Sequence, residues 1–357
     1  MSKKYTYKLE ITFGNRTSFE PLTETMRISN ALDSFKLGPR KLTLNYTRTR
    51  KQSIEQALNQ TRYSRLQDLW LLYFAVTGEF PRPKGAVFVI EGKSESYNSN
   101  DLNLPRECIL KFNSKTKDRR IITNPCANLV LSSRLKKPIL ISFSYLIKSF
   151  CTAEDEYGRF RILWGAFNSL YNSFSENEKA EWKRVQKLVL ELDNRLCLEK
   201  AKVVFSAAPA LSSPCWRLGD YLSSRQFNIN GEKSNAHFSS KDRIEALVKD
   251  ADIATLKAIK RNYRYDRLLK KIPLENNPIE QRIQADIHVD ESRFLFAMVH
   301  YLYWLRCDTV HGNSIYPLFV DNELNDLLST LNDCLEIVVK ESISFLASSN
   351  MPKESQT

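Results

Sequence analysis

The chain has 357 residues, 42% of them hydrophobic and 26% charged, with 53 Lys and Arg against 41 Asp and Glu, a formal net charge of +12. That length suits two domains with separate cores, and the composition is the ordinary one of a soluble globular protein. The longest unbroken apolar run, Leu69 to Val76, is too short to span a bilayer, and the 7 cysteines lack the spacing of a disulfide frame or a zinc site.

The opening MSKKYTYKLE carries charge with no apolar stretch behind it, so no secretory signal is expected. Reduced cysteines and the missing leader together lead us to expect a cytoplasmic protein with no membrane partner, no metal and no cofactor. The positive charge is unevenly placed. Residues 1–150 hold 26 Lys and Arg against 12 Asp and Glu, leaving 27 against 29 for the rest. An excess of +14 on one domain favours a polyanion, nucleic acid first among them, although a solubilising surface has the same composition.

In chain order, Tyr5, Tyr7, Leu9, Ile11 and Phe13 alternate with polar residues, the period of a half-buried strand. Leu42, Leu44 and Tyr46 repeat it, as do shorter runs at Ala86–Ile90 and Cys108–Phe112. Lys51 to Val76 reads as one helix closed by Gly78 and Pro81. Residues 92–106 read as a polar loop, and Lys111–Arg120 and Arg134–Lys137 as basic patches on a loop or strand edge. The fold class expected is therefore α+β: a mixed domain with an antiparallel sheet over residues 1–150, then an all-helical domain over 151–350 and a tail at 351–357.

In that second part Leu163, Phe167, Leu170 and Phe174 form a core stripe, with Trp164, Asn168 and Tyr171 on the adjoining one. Ser175-x-x-Glu178 has the form of a capping box, predicting a helix with Val185, Val189, Leu192 and Leu196 inward. Residues 209–231 read as irregular. Lys257, Lys260, Arg261, Arg264, Arg267, Lys270 and Lys271 recur at three- and four-residue steps around Tyr263 and Tyr265. As a helix they would form a basic stripe suited to RNA backbone and base stacking, or simply a solvated face. The last helix is expected from about Asn322 to Leu346.

Phe294–Gly312 reads FLFAMVHYLYWLRCDTVHG, with only His300 polar among the twelve residues up to Leu305. Such a helix is expected to be buried on all sides. It exits into Arg306, Asp308 and His311, a cation near an imidazole that titrates close to neutrality. Residues five apart on one helix face about 140° from each other. The β-branched Thr309 and Val310 followed by Gly312 predict a stop near Thr309 that would let His311 fold back. The same two residues would also suit a helix C-terminus, where cations complement the dipole.

Arg306-x4-His311 at the end of an apolar helix resembles the Arg-x4–6-His motif of the HEPN superfamily of helical-bundle domains. RFRILWGAFNSLYNSF, Arg159 to Phe174, resembles the first bundle helix of defence-type members. The position after the arginine is Cys307, where members often carry a polar residue; here that group falls at Asp308. The resemblance implies a metal-independent endoribonuclease in which the RNA's 2′-hydroxyl attacks its own phosphate. Arg306 would grip that phosphate and His311 would act as base or acid. Asp308, Asn168 and Tyr171 would support them, and RNA would also lie on Lys257, Lys260, Arg261, Arg264 and Arg267. It also implies a homodimer or higher oligomer with the cleft at the seam, an anti-phage or abortive-infection role, and a phage-derived trigger or antitoxin-like regulator. The alternative is a catalytically silent module of the same fold that binds RNA, a nucleotide or a protein.

Overall fold

The computed structural model describes residues 4–28, 31–53, 61–98, 112, 118–152, 155–207, 294, 297–311 and 322–349. The side chains of 25–28, 31–32, 61–65, 300, 308–311 and 322–324 lie outside that description. The chain divides into two compact units, Met1–Ala153 with Ile343–Thr357, and Glu154–Ser342.

The first unit is built on a six-stranded antiparallel sheet: β1 (Tyr5–Phe13), β2 (Leu22–Ile28), β3 (Ala31–Leu37), β4 (Lys41–Arg48), β5 (Pro83–Ile90) and β6 (Lys93–Asn98), in spatial order β2-β3-β4-β1-β5-β6. Alternation in β1 sets which face is inward. Its register opposes Leu9 to Leu44 on β4 and to Phe88 on β5, and Phe35 on β3 sits across from Leu44. A neighbouring row runs Leu22, Leu37, Leu42, Ile11 and Ala86. All of these are buried, so a one-residue slip of β1 would turn its apolar set to water. Tyr7 is sandwiched between Tyr46 at 4.9 Å and Phe88 at 5.8 Å.

Helix α1 (Thr61–Thr77) covers that face through Trp70 and Tyr73, whose rings stand edge-on to Phe13 at 5.7 and 5.5 Å. Gly78 ends it at φ +78, a left-handed position, and its N–H donates to the Phe74 carbonyl at 2.7 Å. Then come α2 (Asn124–Ser132) and α3 (Lys136–Ser149), the latter packed on α1. Burial of Leu69 through Val76, Leu71 excepted, follows from having the sheet on one side and helices on the other.

The second unit's regular elements, among the described residues, are helices: α4 (Glu156–Phe174), α5 (Glu181–Asn194), α6 (Glu199–Ser206), a π-helical turn at Ala297–Tyr301, α7 (Leu302–His311) and α8 (Asn322–Ser349), whose last turns from Ile343 count with the first unit. On α4 the buried stripe is Phe160, Leu163, Trp164, Phe167, Leu170 and Tyr171. Arg159 clamps α4 to α8, reaching Asp333 at 2.8 Å, Glu336 at 3.0 Å and Glu156 on its own helix at 3.3 Å.

Several expectations change. The first helix is described only from Thr61, with residues 51–53 irregular and 54–60 outside the described residues. Lys93–Asn98 is an edge strand, not loop: its polar residues take their strand partners from β5. Helices begin at Asn124 rather than near 151, and Lys136 and Lys137 open α3 instead of a strand edge. The Ser175–Glu178 box starts no helix. Ser175 ends α4, accepting from the Glu178 N–H in a turn, and α5 begins at Glu181. Leu196 points outward, 72% exposed at φ 57, because the chain has left α5. The strand expected at Cys108–Phe112 and the irregular stretch 209–231 lie outside the described residues, Phe112 alone excepted.

Truncating Phe88 to Ala should cost about 3–5 kcal/mol, read from the urea midpoint at constant slope. Lys8→Ala, on the opposite face of the neighbouring strand, should change stability by no more than about 0.5 kcal/mol.

Candidate active site

The chain that leads to Arg306 is as apolar in space as in sequence. Phe294, Ala297, Met298, Val299, Tyr301, Leu302, Trp304 and Leu305 are all buried. The π-helical turn at Ala297–Tyr301 widens the backbone just before α7 begins, a feature common near functional sites. Among the described side chains of α7 the half-buried ones are Tyr303 and Arg306, one turn apart on a shared face, with Cys307 buried beside them.

Glu181, the first residue of α5, meets that face. Its Oε1 lies 3.3 Å from Arg306 Nη2 and accepts a hydrogen bond from the Tyr171 hydroxyl at 2.5 Å. Its other oxygen accepts from the Tyr303 hydroxyl at 3.4 Å. Arg306 Nη1 also donates to Cys307 Sγ at 3.7 Å. One carboxylate therefore joins a guanidinium and two phenols drawn from α4, α5 and α7. A negative side chain in the first turn of α5 also suits that helix's dipole. The aromatic wall behind the cluster is Trp164, with ring centroids 6.0 Å from Tyr171 and 6.3 Å from Tyr303.

The electrostatics follow from this arrangement. Burial opposes the charge of Arg306, but Glu181 and the Cys307 sulfur outweigh it and raise the guanidinium's pKa. Burial, and then the bond to Glu181, push the Tyr171 phenol well above its ordinary value. Tyr303 moves the same way, through burial and then the neighbouring Cys307 and Glu181. Burial raises the Cys307 thiol against the pull of Arg306. The cluster thus holds a locked cation and two neutral hydroxyl donors.

Of the residues singled out from sequence, Tyr171 joins Arg306 through Glu181. Asn168 does not: its Oδ1 accepts from Asn172 Nδ2 at 2.5 Å, and Asn172 in turn accepts from Arg184 at 2.7 Å. Helix α7 runs on through His311 instead of stopping near Thr309. The β-branched pair costs only a few tenths of a kcal/mol per residue in helix propensity, too little to break a helix already docked by its apolar turns. Positions 306 and 311 are thus about 140° apart around α7 and about 7.5 Å along it. The side chains of Asp308 and His311 lie outside the described residues, as do Lys257, Lys260, Arg261, Arg264 and Arg267 entirely.

Sequence reasoning missed Glu181 and Tyr303. Tyr303 carries a local signal, standing three residues before Arg306 on one helical face. Nothing local marks Glu181, which reaches Arg306 only through the packing of α5 on the π-helical turn and its neighbours. Among the described residues, no group of three or more His, Cys, Asp or Glu is placed to hold a metal ion. Comparison with known proteins finds no matching family model, no matching curated protein and no matching solved structure.

Two outcomes check the cluster. Glu181→Gln strips a part-buried guanidinium of its countercharge, and stability should fall by about 1–3 kcal/mol in chemical denaturation. The phenols give a pH signature. Their folded pKa values are raised, so their contribution is complete below the unfolded value of about 10 and lost as pH rises beyond it. The Tyr171→Phe, Tyr303→Phe double variant should therefore lose stability less steeply above about pH 10 than the parent. Equal slopes would show that the two hydroxyls are not held neutral.

Proposed function

We propose that the second unit is an RNA-cleaving domain whose centre is Arg306, with His311 as its proton-transfer group. What carries the reading is the Arg306 cluster. A buried helix delivers a guanidinium that is still 23% exposed, and a carboxylate and two phenols fix it in place. Such a fork suits a phosphate that gains charge at the transition state. The helical character of the unit and the Arg-x4-His spacing agree with the HEPN-like bundle implied by the sequence.

In the reaction we propose, the 2′-oxygen of RNA attacks the adjacent phosphorus and the 5′-oxygen leaves, giving a cyclic phosphate and a free 5′-hydroxyl. Arg306 binds the non-bridging oxygens. His311 takes the 2′-proton or returns one to the leaving oxygen, a role worth on the order of 10²–10⁴ in rate. The angle between positions 306 and 311 supports a site shared between two copies, the histidine of one meeting the arginine of the other. An anti-phage or abortive-infection setting, triggered through another factor, belongs to the same proposal.

A second reading has an observation of its own. Glu181 already neutralises Arg306 in part, and α7 continues through His311, an arrangement that also fits a silent module that binds RNA without cutting it.

Labelled RNA incubated in EDTA with the parent, Arg306→Ala and His311→Ala separates the two. Cleavage by the parent that falls at least about 100-fold in both variants supports the ribonuclease. Equal cleavage by all three removes this site from the reaction. Binding without cleavage, weakened only by Arg306→Ala, supports the silent module.

A further inference from the structure

The outward face of α3, in the first unit, joins exposed cations to exposed apolar side chains. From Ile121 to Ala153 the chain has no Asp or Glu, while Arg134, Lys136, Lys137 and Lys148 all fall within it. The inward face of α3 carries Ile139, Leu140, Phe143, Leu146 and Ile147, which anchor it to the core. Outward, at steps of four, four and three residues, come Lys137, Ile141, Tyr145 and Lys148, spanning about 80° of the helix and about 16 Å of its length. Ile141 is 40% exposed and Tyr145 41%, and both lysines are exposed.

The cations are available. Lys136 is tied to Glu24 at 2.8 Å, but Arg134, Lys137 and Lys148 pair with no carboxylate among the described residues. Two of them stand near the positive end of α3, where a cation costs stability rather than adding to it. The Tyr145 ring, 41% exposed between Lys137 and Lys148, also leaves part of its apolar surface in water. Both choices make sense if an anionic, partly aromatic ligand covers this face.

We propose that the α3 face of the first unit binds a single strand of nucleic acid, with phosphates on Lys137, Lys148 and Arg134 and a base stacked on Tyr145 beside Ile141. Charge complementarity selects the class: the 150 residues around this helix carry an excess of 14 positive charges. An exposed ring between cations selects a single strand over a duplex, whose bases are already stacked on one another. A membrane fits less well. The apolar side of α3 is spent on the core, leaving only Ile141 and Tyr145 to insert, and surface binding scales with the apolar area buried. This inference does not depend on the second unit cutting RNA.

The test uses the full chain and a fluorescent single-stranded DNA oligonucleotide, which has no 2′-hydroxyl and so reports binding whether or not RNA is cleaved. Tyr145→Ala should weaken binding roughly fivefold to a hundredfold, and Tyr145→Phe should restore it. Lys137→Glu with Lys148→Glu should weaken binding and lower the slope of log affinity against log salt by about 1.4, two single-strand phosphates. Lys93→Glu, an exposed charge on β6, should change affinity by less than about twofold, and the melting temperatures of all variants should match the parent. No binding by the parent overturns the proposal, as does binding that the α3 variants leave unchanged. Binding to phosphatidylserine-rich vesicles that only the α3 variants abolish, with oligonucleotide binding untouched, overturns it in favour of a membrane.

Discussion

A guanidinium half-buried among helices is costly unless an opposite charge compensates it, and Glu181 supplies that condition for Arg306. The consequence reaches three helices, because the same carboxylate accepts hydroxyls from α4 and α7 while standing in the first turn of α5. A second arginine in the unit obeys the same rule with a different result. Arg159 is surrounded by Glu156, Asp333 and Glu336, with Lys340 on the far side of Glu336. Three carboxylates on one guanidinium make a locked clamp with no affinity for another anion. One carboxylate and two neutral phenols leave a cation whose charge is balanced but not reversed. That difference marks Arg159 as scaffold and Arg306 as the candidate site.

How much of this could be read from the chain varied with how local its cause was. The face of β1 follows from its alternation and most of the α4 stripe from helical spacing, with Phe174 only half-buried at its end. The burial of Phe294, Ala297, Met298, Val299, Tyr301, Leu302, Trp304 and Leu305 follows from an apolar run that leaves Tyr303 half-buried. Where sequence reading fell short, pairing or position made the difference. β6 has no apolar alternation and is a strand because β5 offers it a ladder. Arg134–Lys137 read as a loop or strand edge from its charges, yet Lys136 and Lys137 open α3, and Pro138 beside them sits in the first turn, where the missing N–H costs nothing. Ser175 and Glu178 have the residue types of a capping box, but a turn uses them first.

The site divides along the same line. Arg306 stood out because it follows eleven apolar residues in twelve, although a cation complementing the dipole of a helix C-terminus has the same sequence. Tyr171 was legible as a member of the stripe next to the core. Glu181 lies 125 positions before Arg306, and only tertiary packing joins them. The continuation of α7 through His311 was hidden for a related reason: local stop signals are weak against the docking of the turns before them.

Charge gives the two units separate roles in the reading proposed here. The residues from 151 onward hold 27 cations against 29 anions, and the half-buried Arg306 already faces Glu181. Such a unit has little long-range attraction for a polyanion, however well its centre fits one phosphate. The first 150 residues hold the opposite balance, 26 against 12, and α3 carries Lys137 and Lys148, which pair with no carboxylate among the described residues, beside an exposed ring. Capture by fields that reach about a Debye length, roughly 8 Å at physiological salt, therefore falls to the first unit. Short-range recognition of a phosphate, which needs a fixed and partly desolvated fork, falls to the second. Neither property can be moved to the other unit without cost: a strongly basic bundle would repel the cation at its own centre, and a solvated lysine stripe cannot hold one oxygen in place.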